Sequence, residues 1–340
     1  MKIAIIGAGA IGGLVGAKLA LAGEDVTFLV RGRNLAAIAE HGIKLTSADG
    51  WEHTANNVRA TDDYAQAGPQ DLVILAMKAH QLEAVVADLP KLLGPRTTIV
   101  TMQNGIPYWY FQRHGGPFEG TRVASVDPQG VIAAGIAAER VIGCVVYPAS
   151  ELVAPGVIRH IEGDRLPLGE LDGSSSERVQ AIAACFANAG FKAPVLDNIR
   201  AEIWLKLWGN LSFNPISSLS HATLVDICQY PPSRELAAAM MREAQAVANK
   251  LGIEFRVSLE KRIAGAEKVG KHKPSMLQDV EAGREPEIDA LVGSVVELAR
   301  LTGTPTPHID SVHALVKLLA HTMQDQRGHV RLLETALLAA

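Results

Sequence analysis

The chain has 340 residues, 48% of them hydrophobic and 20% charged, with a formal net charge of −4. That length suits two domains. With no polybasic face a nucleic-acid partner is not expected, and with no uninterrupted apolar run of about 18 to 20 residues neither is a membrane partner. The cysteines Cys144, Cys185 and Cys228 lie far apart without paired spacing, as reduced thiols in a cytoplasmic protein would. His308 and His313 are five apart, which sends them to divergent faces of a helix, and no His-Glu-x-x-His occurs, so no metal is expected. No Gly-x-Ser-x-Gly elbow of a serine hydrolase is present.

Residues 3–6 read as a short apolar strand that feeds Gly7, Ala8, Gly9, Ala10, Ile11 and Gly12, and an Ala/Leu-rich helix follows to about Leu21. The glycines of this G-x-G-x-x-G pattern act differently. Gly7 turns the chain off the strand, Gly9 lets main-chain N–H groups approach a pyrophosphate, and Gly12 lets the helix pack close to the sheet. The motif alone is weak; its place between a strand and a helix makes it a dinucleotide-binding candidate. Lys2, the apolar stretch and Ala20-Leu-Ala22 have the outline of a secretory signal, but glycines interrupt it and cleavage would remove the first strand and helix. A cytoplasmic location is expected. A second strand, residues 25–30, ends without the acid that selects NAD and is followed by Arg31, Gly32 and Arg33. A guanidinium fork suits a phosphate monoester, so NADP(H) is the expected cofactor; the alternative is that the arginines only solvate a turn.

Residues 71–77 form a continuous apolar run of the kind a buried parallel strand requires. A helical stretch at 81–93 and a strand at 98–102 follow. Gln103, Asn104 and Gly105 then fall at the carboxyl end of a central strand, either at the ligand edge of an open α/β sheet or in a plain Asn-Gly turn. Further strands are expected at 141–147, 156–161, 166–169 and 193–196, with a helix at 176–189 between the last two. The first part, residues 1–197, is expected to be a Rossmann-type doubly wound α/β domain extended at its far edge by antiparallel strands. Beyond it, amphipathic stretches at 199–214, 234–251, 287–301 and 308–323 predict an all-helical domain over 198–340.

Within the greasy segment 202–215, Lys206, Asn210 and Asn214 recur every four residues. On a helix such positions drift by only about 40° per step and form one stripe. Polar groups lining a cleft would look like this; a snorkelling lysine beside helix-capping asparagines would too. Ser275 and Glu287 are two more candidates. For each a structural reading stands beside the functional one: Ser275 as a helix N-cap completing a capping box with Gln278, and Glu287 as an exposed first-turn acid.

Taken together, GAGAIG at 7–12, Leu29-Val-Arg31, Met77-Lys-Ala-His-Gln81, Gln103-Asn-Gly105, the block from Ile199 to Lys206 with Asn210 and Asn214, Ser275-Met-Leu-Gln-Asp279 and Glu287-Ile-Asp289 resemble the ketopantoate reductase (2-dehydropantoate 2-reductase) family over nearly the whole chain. The resemblance implies NADPH-dependent reduction of a 2-oxo acid, ketopantoate, to pantoate in the pantothenate route, and a homodimer is plausible for the family. It implies that Lys206 is the catalytic lysine and that Glu287 anchors substrate or ribose. Asn210 and Asn214 would bind substrate hydroxyls and Ser275 the carboxylate. Asn104 would hold the lysine and the nicotinamide ribose, Arg31 would meet the 2′-phosphate, and Lys78 would lie near the cofactor. An ammonium facing the nicotinamide can stabilise the developing oxyanion and protonate it. Residues 108–130 and 321–340 depart from the family pattern, which leaves open a related NADP-dependent reductase of another small oxo acid or ketone. A regulator that binds NADPH without turnover is a further rival, although it would not need the Lys-Asn-Asn stripe.

Overall fold

A computed structural model describes residues 1–47 and 49–332, which form two compact units, Met1–Glu202 and a second beginning at Ile203. In chain order the first unit contains β1 (Lys2–Ile6), α1 (Ala10–Leu21), β2 (Asp25–Leu29), α2 (Gly32–His41), β3 (Ile43–Ser47), β4 (Glu52–Ala55), β5 (Val58–Thr61), α3 (Tyr64–Ala67) and β6 (Gln70–Leu75). After these come α4 (Glu83–Val86), β7 (Leu93–Thr101), α5 (Val131–Gly135), β8 (Val141–Cys144), β9 (Ala149–Ala154), β10 (Val157–Glu162), β11 (Leu168–Glu170) and α6 (Glu177–Asn188).

The main sheet has the order β11-β8-β7-β6-β1-β2-β5. All neighbours are parallel except β11, which runs antiparallel to β8 as expected of the far edge. Ile3, Ile5, Leu72, Val73, Ile74 and Leu75 are all fully buried, which is why these strands read as unbroken apolar runs. This is a doubly wound, Rossmann-type sheet whose strand order reverses between β1 and β6.

A second sheet, β4-β3-β10-β9, was not expected. Residues 156–161 are a strand, but one that pairs parallel with β3 and antiparallel with β9 and takes no part in the main sheet. Helix α1 lies between the two sheets, and small residues on opposite faces allow it to. A Cβ on Gly16 would lie 2.5 Å from the Phe28 ring of the main sheet, and one on Gly13 would lie 2.6 Å from Ile158 of the second. Two other expectations are corrected. Residues 193–196 make only an isolated bridge, Val195 to Leu168. Residues 81–93 do not form one helix: the four-residue α4 is followed by a 3₁₀ turn at Leu89–Leu92, where Pro90 cannot supply the N–H that a continuing α-helix needs.

Between β7 and α5 the chain has no strand, yet it buries Tyr108, Trp109, Tyr110 and Phe111. Buried Arg200 pins this segment by donating to the carbonyls of Tyr110 (2.6 Å), Gln112 (2.7 Å) and Leu171 (2.5 Å).

Helix α7 (Ile199–Ser220) carries the chain into the second unit and continues through Pro215, past the expected end at Asn214. There follow α8 (Leu224–Gln229), α9 (Pro231–Lys250), α10 (Leu259–Lys268), α11 (Ser275–Glu281), a π-turn (Asp289–Gly293) running into α12 (Ser294–Leu301), and α13 (Pro307–Asp325). Among its described residues the second unit has no strand, as the amphipathic periodicity predicts. Its core includes Trp208, which packs 4.2 Å from the Phe255 ring and donates its indole N–H to the Met241 carbonyl at 2.6 Å. Among the described residues no helix is long and apolar enough to cross a membrane. The expected departure at 321–340 lies partly outside them.

Candidate active site

At the end of β1, Gly7 adopts φ +95°, and its N–H donates to the Leu29 carbonyl at 3.1 Å. A Cβ there would be strained and would press on the Ala76 carbonyl at 3.2 Å. A Cβ on Gly12 would run into the Gly7 carbonyl and sit 2.9 Å from the Ala76 methyl, so the helix could not approach the strand. Gly9 differs from both: its φ of −73° suits any residue, and a Cβ there would meet no protein atom within 4 Å. Nothing among the described residues requires glycine at this position, whereas a ligand brought up to the backbone would.

Gly9 is also the N-cap of α1, with no side-chain cap and no acid in the first turn. The first helical bond is Gly13 N–H to the Gly9 carbonyl at 2.8 Å, so the amides of Ala10, Ile11 and Gly12 are left for an outside acceptor, at the positive end of the helix dipole. Asn34 steadies the turn, donating to the Ala8 carbonyl at 3.0 Å and accepting from Gly156 N–H at 3.0 Å, and Ser150 donates to the Ala10 carbonyl at 2.9 Å.

Strand order sets what lies beside this turn. β7, β6, β1 and β2 are consecutive neighbours, and their carboxyl ends lead to Asn104, Lys78, the glycine turn and Arg31 respectively. At about 4.8 Å per strand these positions span roughly 14 Å along one edge, with the reversal point inside it. Gln103 joins two of the strand ends, its amide donating to the Leu75 carbonyl at 2.8 Å and the Met77 carbonyl at 3.0 Å. Arg31 is the exposed N-cap residue of α2, whose first turn likewise lacks both an acid and a side-chain cap. Arg31 also faces Tyr64, whose phenol is pushed up to about 12 by burial and by Asp88, with the Arg31 charge opposing.

In the helical unit Lys206, Asn210 and Asn214 follow one another at four-residue spacing on α7. Lys206 and Asn210 are half-buried and Asn214 is buried, among the fully enclosed Leu207, Trp208 and Leu211. The same spacing runs back one turn to Glu202, a residue absent from the candidates that the sequence suggests. Its carboxylate Oε1 accepts from the Tyr147 hydroxyl at 2.7 Å and from the Arg165 guanidinium. Arg165 lies over the Tyr147 ring at 5.1 Å, and burial together with the Glu202 carboxylate pushes the Tyr147 phenol well above its usual range. The four-residue repeat was the available signal; the partners come from distant parts of the chain.

Ser275 is the first residue of α11 and exposed; Pro274 is the N-cap and no side-chain cap is formed. The capping-box reading is therefore wrong, and Gln278 instead donates back to the Lys273 carbonyl at 2.8 Å. Glu287 is half-buried and lies two residues before Asp289, its carbonyl accepting from Leu291 N–H at 3.2 Å. Among the described residues no group of three or more His, Cys, Asp or Glu is arranged to hold a metal ion, and the three cysteines are buried and free.

Family models for ketopantoate reductase PanE/ApbA and for its C-terminal part match residues 3–173 and 198–320. A 2-dehydropantoate 2-reductase from Mesorhizobium japonicum is 54% identical, over 94% of this chain and 98% of its own. A solved 2-dehydropantoate 2-reductase from Geobacter metallireducens is 30% identical and superposes with a TM-score of 0.82, covering 93% of this chain and 99% of the other. A D-mandelate dehydrogenase solved with NADH and anilino(oxo)acetate shares the fold at 24% identity, with a TM-score of 0.81 over 95% of this chain and all of that one. The chain is an oxidoreductase and belongs to the ketopantoate reductase family.

Proposed function

We propose that this chain reduces ketopantoate to pantoate with NADPH, Lys206 supplying the proton. The observation that carries the reading is the α7 stripe: one ammonium and two amides at four-residue spacing on a helix that is buried along most of its length. The 54% identity to a protein named for this reaction supports the choice of substrate.

The carboxyl edge of the main sheet suits a phosphorylated dinucleotide, because the open space at Gly9 and the uncapped start of α1 invite an anion. When bound, the nicotinamide supplies the hydride. The chain's own residues do the rest. The amides of Ala10, Ile11 and Gly12 take the pyrophosphate, and the Arg31 fork takes the 2′-phosphate. Asn104 and Lys78 steady the nicotinamide half. Ser275 holds the substrate carboxylate, Asn210 and Asn214 its hydroxyls, and Glu287 anchors substrate or ribose. As charge collects on the substrate's 2-oxygen, the Lys206 ammonium is the group able to neutralise it and then give up its proton.

The rival reading is another small 2-oxo acid or ketone. A panel of 2-oxo acids followed by NADPH absorbance, with NADH run beside it, tests both: ketopantoate with NADPH is expected to give the highest kcat/KM, and a better substrate elsewhere in the panel would transfer the assignment. Lys206→Ala is expected to lower kcat by about 10² to 10⁴ with NADPH binding unchanged; undiminished turnover would remove Lys206 from the chemistry.

A further inference from the structure

One turn of the second unit leaves the α-helical register. Asp289–Gly293 forms a π-turn between Glu287 and α12, whose Ser294, Val295, Val296, Leu298 and Ala299 are buried. A π-turn holds one residue more than an α-turn, so the segment ahead of it is rotated by about 100° from where an unbroken α-helix would put it. The direction of Glu287 relative to the buried face of α12 therefore depends on that extra residue.

Such turns are rare and need neighbours to hold them. Gly293 approaches α13 closely: a Cβ there would lie 3.3 Å from Nε2 of His313 and 3.2 Å from Oδ1 of Asp289, tighter than ordinary packing. Asp289 is itself held by Lys317, one turn further along α13 than His313, with Nζ 3.0 Å from each carboxylate oxygen. The Nε2 of His313 is buried with no hydrogen-bond partner. Burial lowers the His313 pKa, with Asp289 and Asp310 opposing and Lys317 and Arg300 reinforcing.

We infer that the Asp289–Gly293 π-turn, wedged by His313 at Gly293 and pinned by the Asp289–Lys317 ion pair, is the device that aims Glu287, which makes Gly293 and His313 positioning residues for the ligand that Glu287 holds. The inference rests on the anchoring role proposed for Glu287.

Steady-state kinetics on the full chain with ketopantoate and NADPH test it. Glu287→Gln is expected to raise one of the two KM values about tenfold, and Gly293→Ala to raise the same KM about fivefold with kcat changed less than about twofold. Combining Gly293→Ala with His313→Ala relieves the contact with the imidazole and leaves the one with Asp289, so the double variant is expected to raise that KM by clearly less than the sum of the two single effects. A Gly293→Ala enzyme with unchanged KM, or a double variant showing the sum of the single effects, overturns the inference. The two failures can be told apart: Glu287→Gln without effect on either KM removes the anchoring role and the inference with it, whereas a raised KM there beside a silent Gly293→Ala overturns the π-turn assignment alone. If Gly293→Ala does not fold, Lys317→Met takes its place, since it deletes only an exposed side chain: the same KM is expected to rise about twofold to threefold, and no change overturns the inference.

Discussion

Helices α1 and α13 both begin with main-chain N–H groups that the helix itself cannot satisfy, and the chain treats the two ends differently. At α13 a carboxylate from α9 fills the gap: Glu243 accepts from His308 N–H at 3.1 Å and Ile309 N–H at 3.0 Å, and its Oε1 is 2.6 Å from the His308 ring nitrogen. At α1 no side chain caps the turn, no acid sits in it, and the N-cap is a glycine whose missing side chain would touch nothing. The start of α13 thus receives its anion from within the chain. The start of α1 is open where that of α13 is filled, and α2, bare and with Arg31 at its N-cap, repeats the arrangement further along the edge.

The contrast can be broken most severely by giving α1 the cap it lacks. Gly9→Asp places a good N-cap residue in open space, so the melting temperature is expected to hold or rise, while NADPH affinity falls about 100-fold because like charges meet at the pyrophosphate. Differential scanning calorimetry and an NADPH titration measure the two effects, and normal affinity would move the cofactor away from this turn. A smaller effect is expected at α2: Arg31→Ala should raise KM for NADPH about tenfold and leave KM for NADH unchanged, because only the 2′-phosphate is lost as a partner. Equal losses for both cofactors would deny Arg31 a selective role. The smallest change is expected at the capped helix. Glu243→Gln should cost about 1 kcal/mol of stability, seen as a lower denaturant midpoint, with kcat and both KM values unaltered. An effect on KM there would erase the distinction between the two helix ends.

How legible each element was followed from how local its cause is. The glycine turn could be read because two of its glycines answer to contacts within one strand–turn–helix unit and its neighbouring strand, and the central strands because burial on both faces makes their residues uniformly apolar. The second sheet could not be read. β4 buries only Ala55, and β3 meets β10 through a parallel pairing of Lys44 with Val157 across most of the first unit, which no local periodicity encodes. For Ser275 the spacing to Gln278 left a capping box open beside the functional reading, and only the structure excludes it: Pro274 takes the N-cap position and the Gln278 amide turns back to Lys273. Glu202 fell within the visible four-residue repeat, yet its importance rests on Tyr147 and Arg165, which are far away in sequence.

By itself the sequence determined where the central strands and most of the long helices lie along the chain, the glycine turn at 7–12 and the polar stripe on α7, because steric freedom at a glycine and the period of a helix are properties of a few consecutive residues. Only the tertiary structure decided that α1 lies between two sheets, that Glu202 is held by a phenol and a guanidinium, and that residues 289–293 take an extra residue into one turn. Each of those outcomes depends on a side chain brought up from elsewhere in the chain: Ile158 on Gly13, Tyr147 on Glu202 and His313 on Gly293.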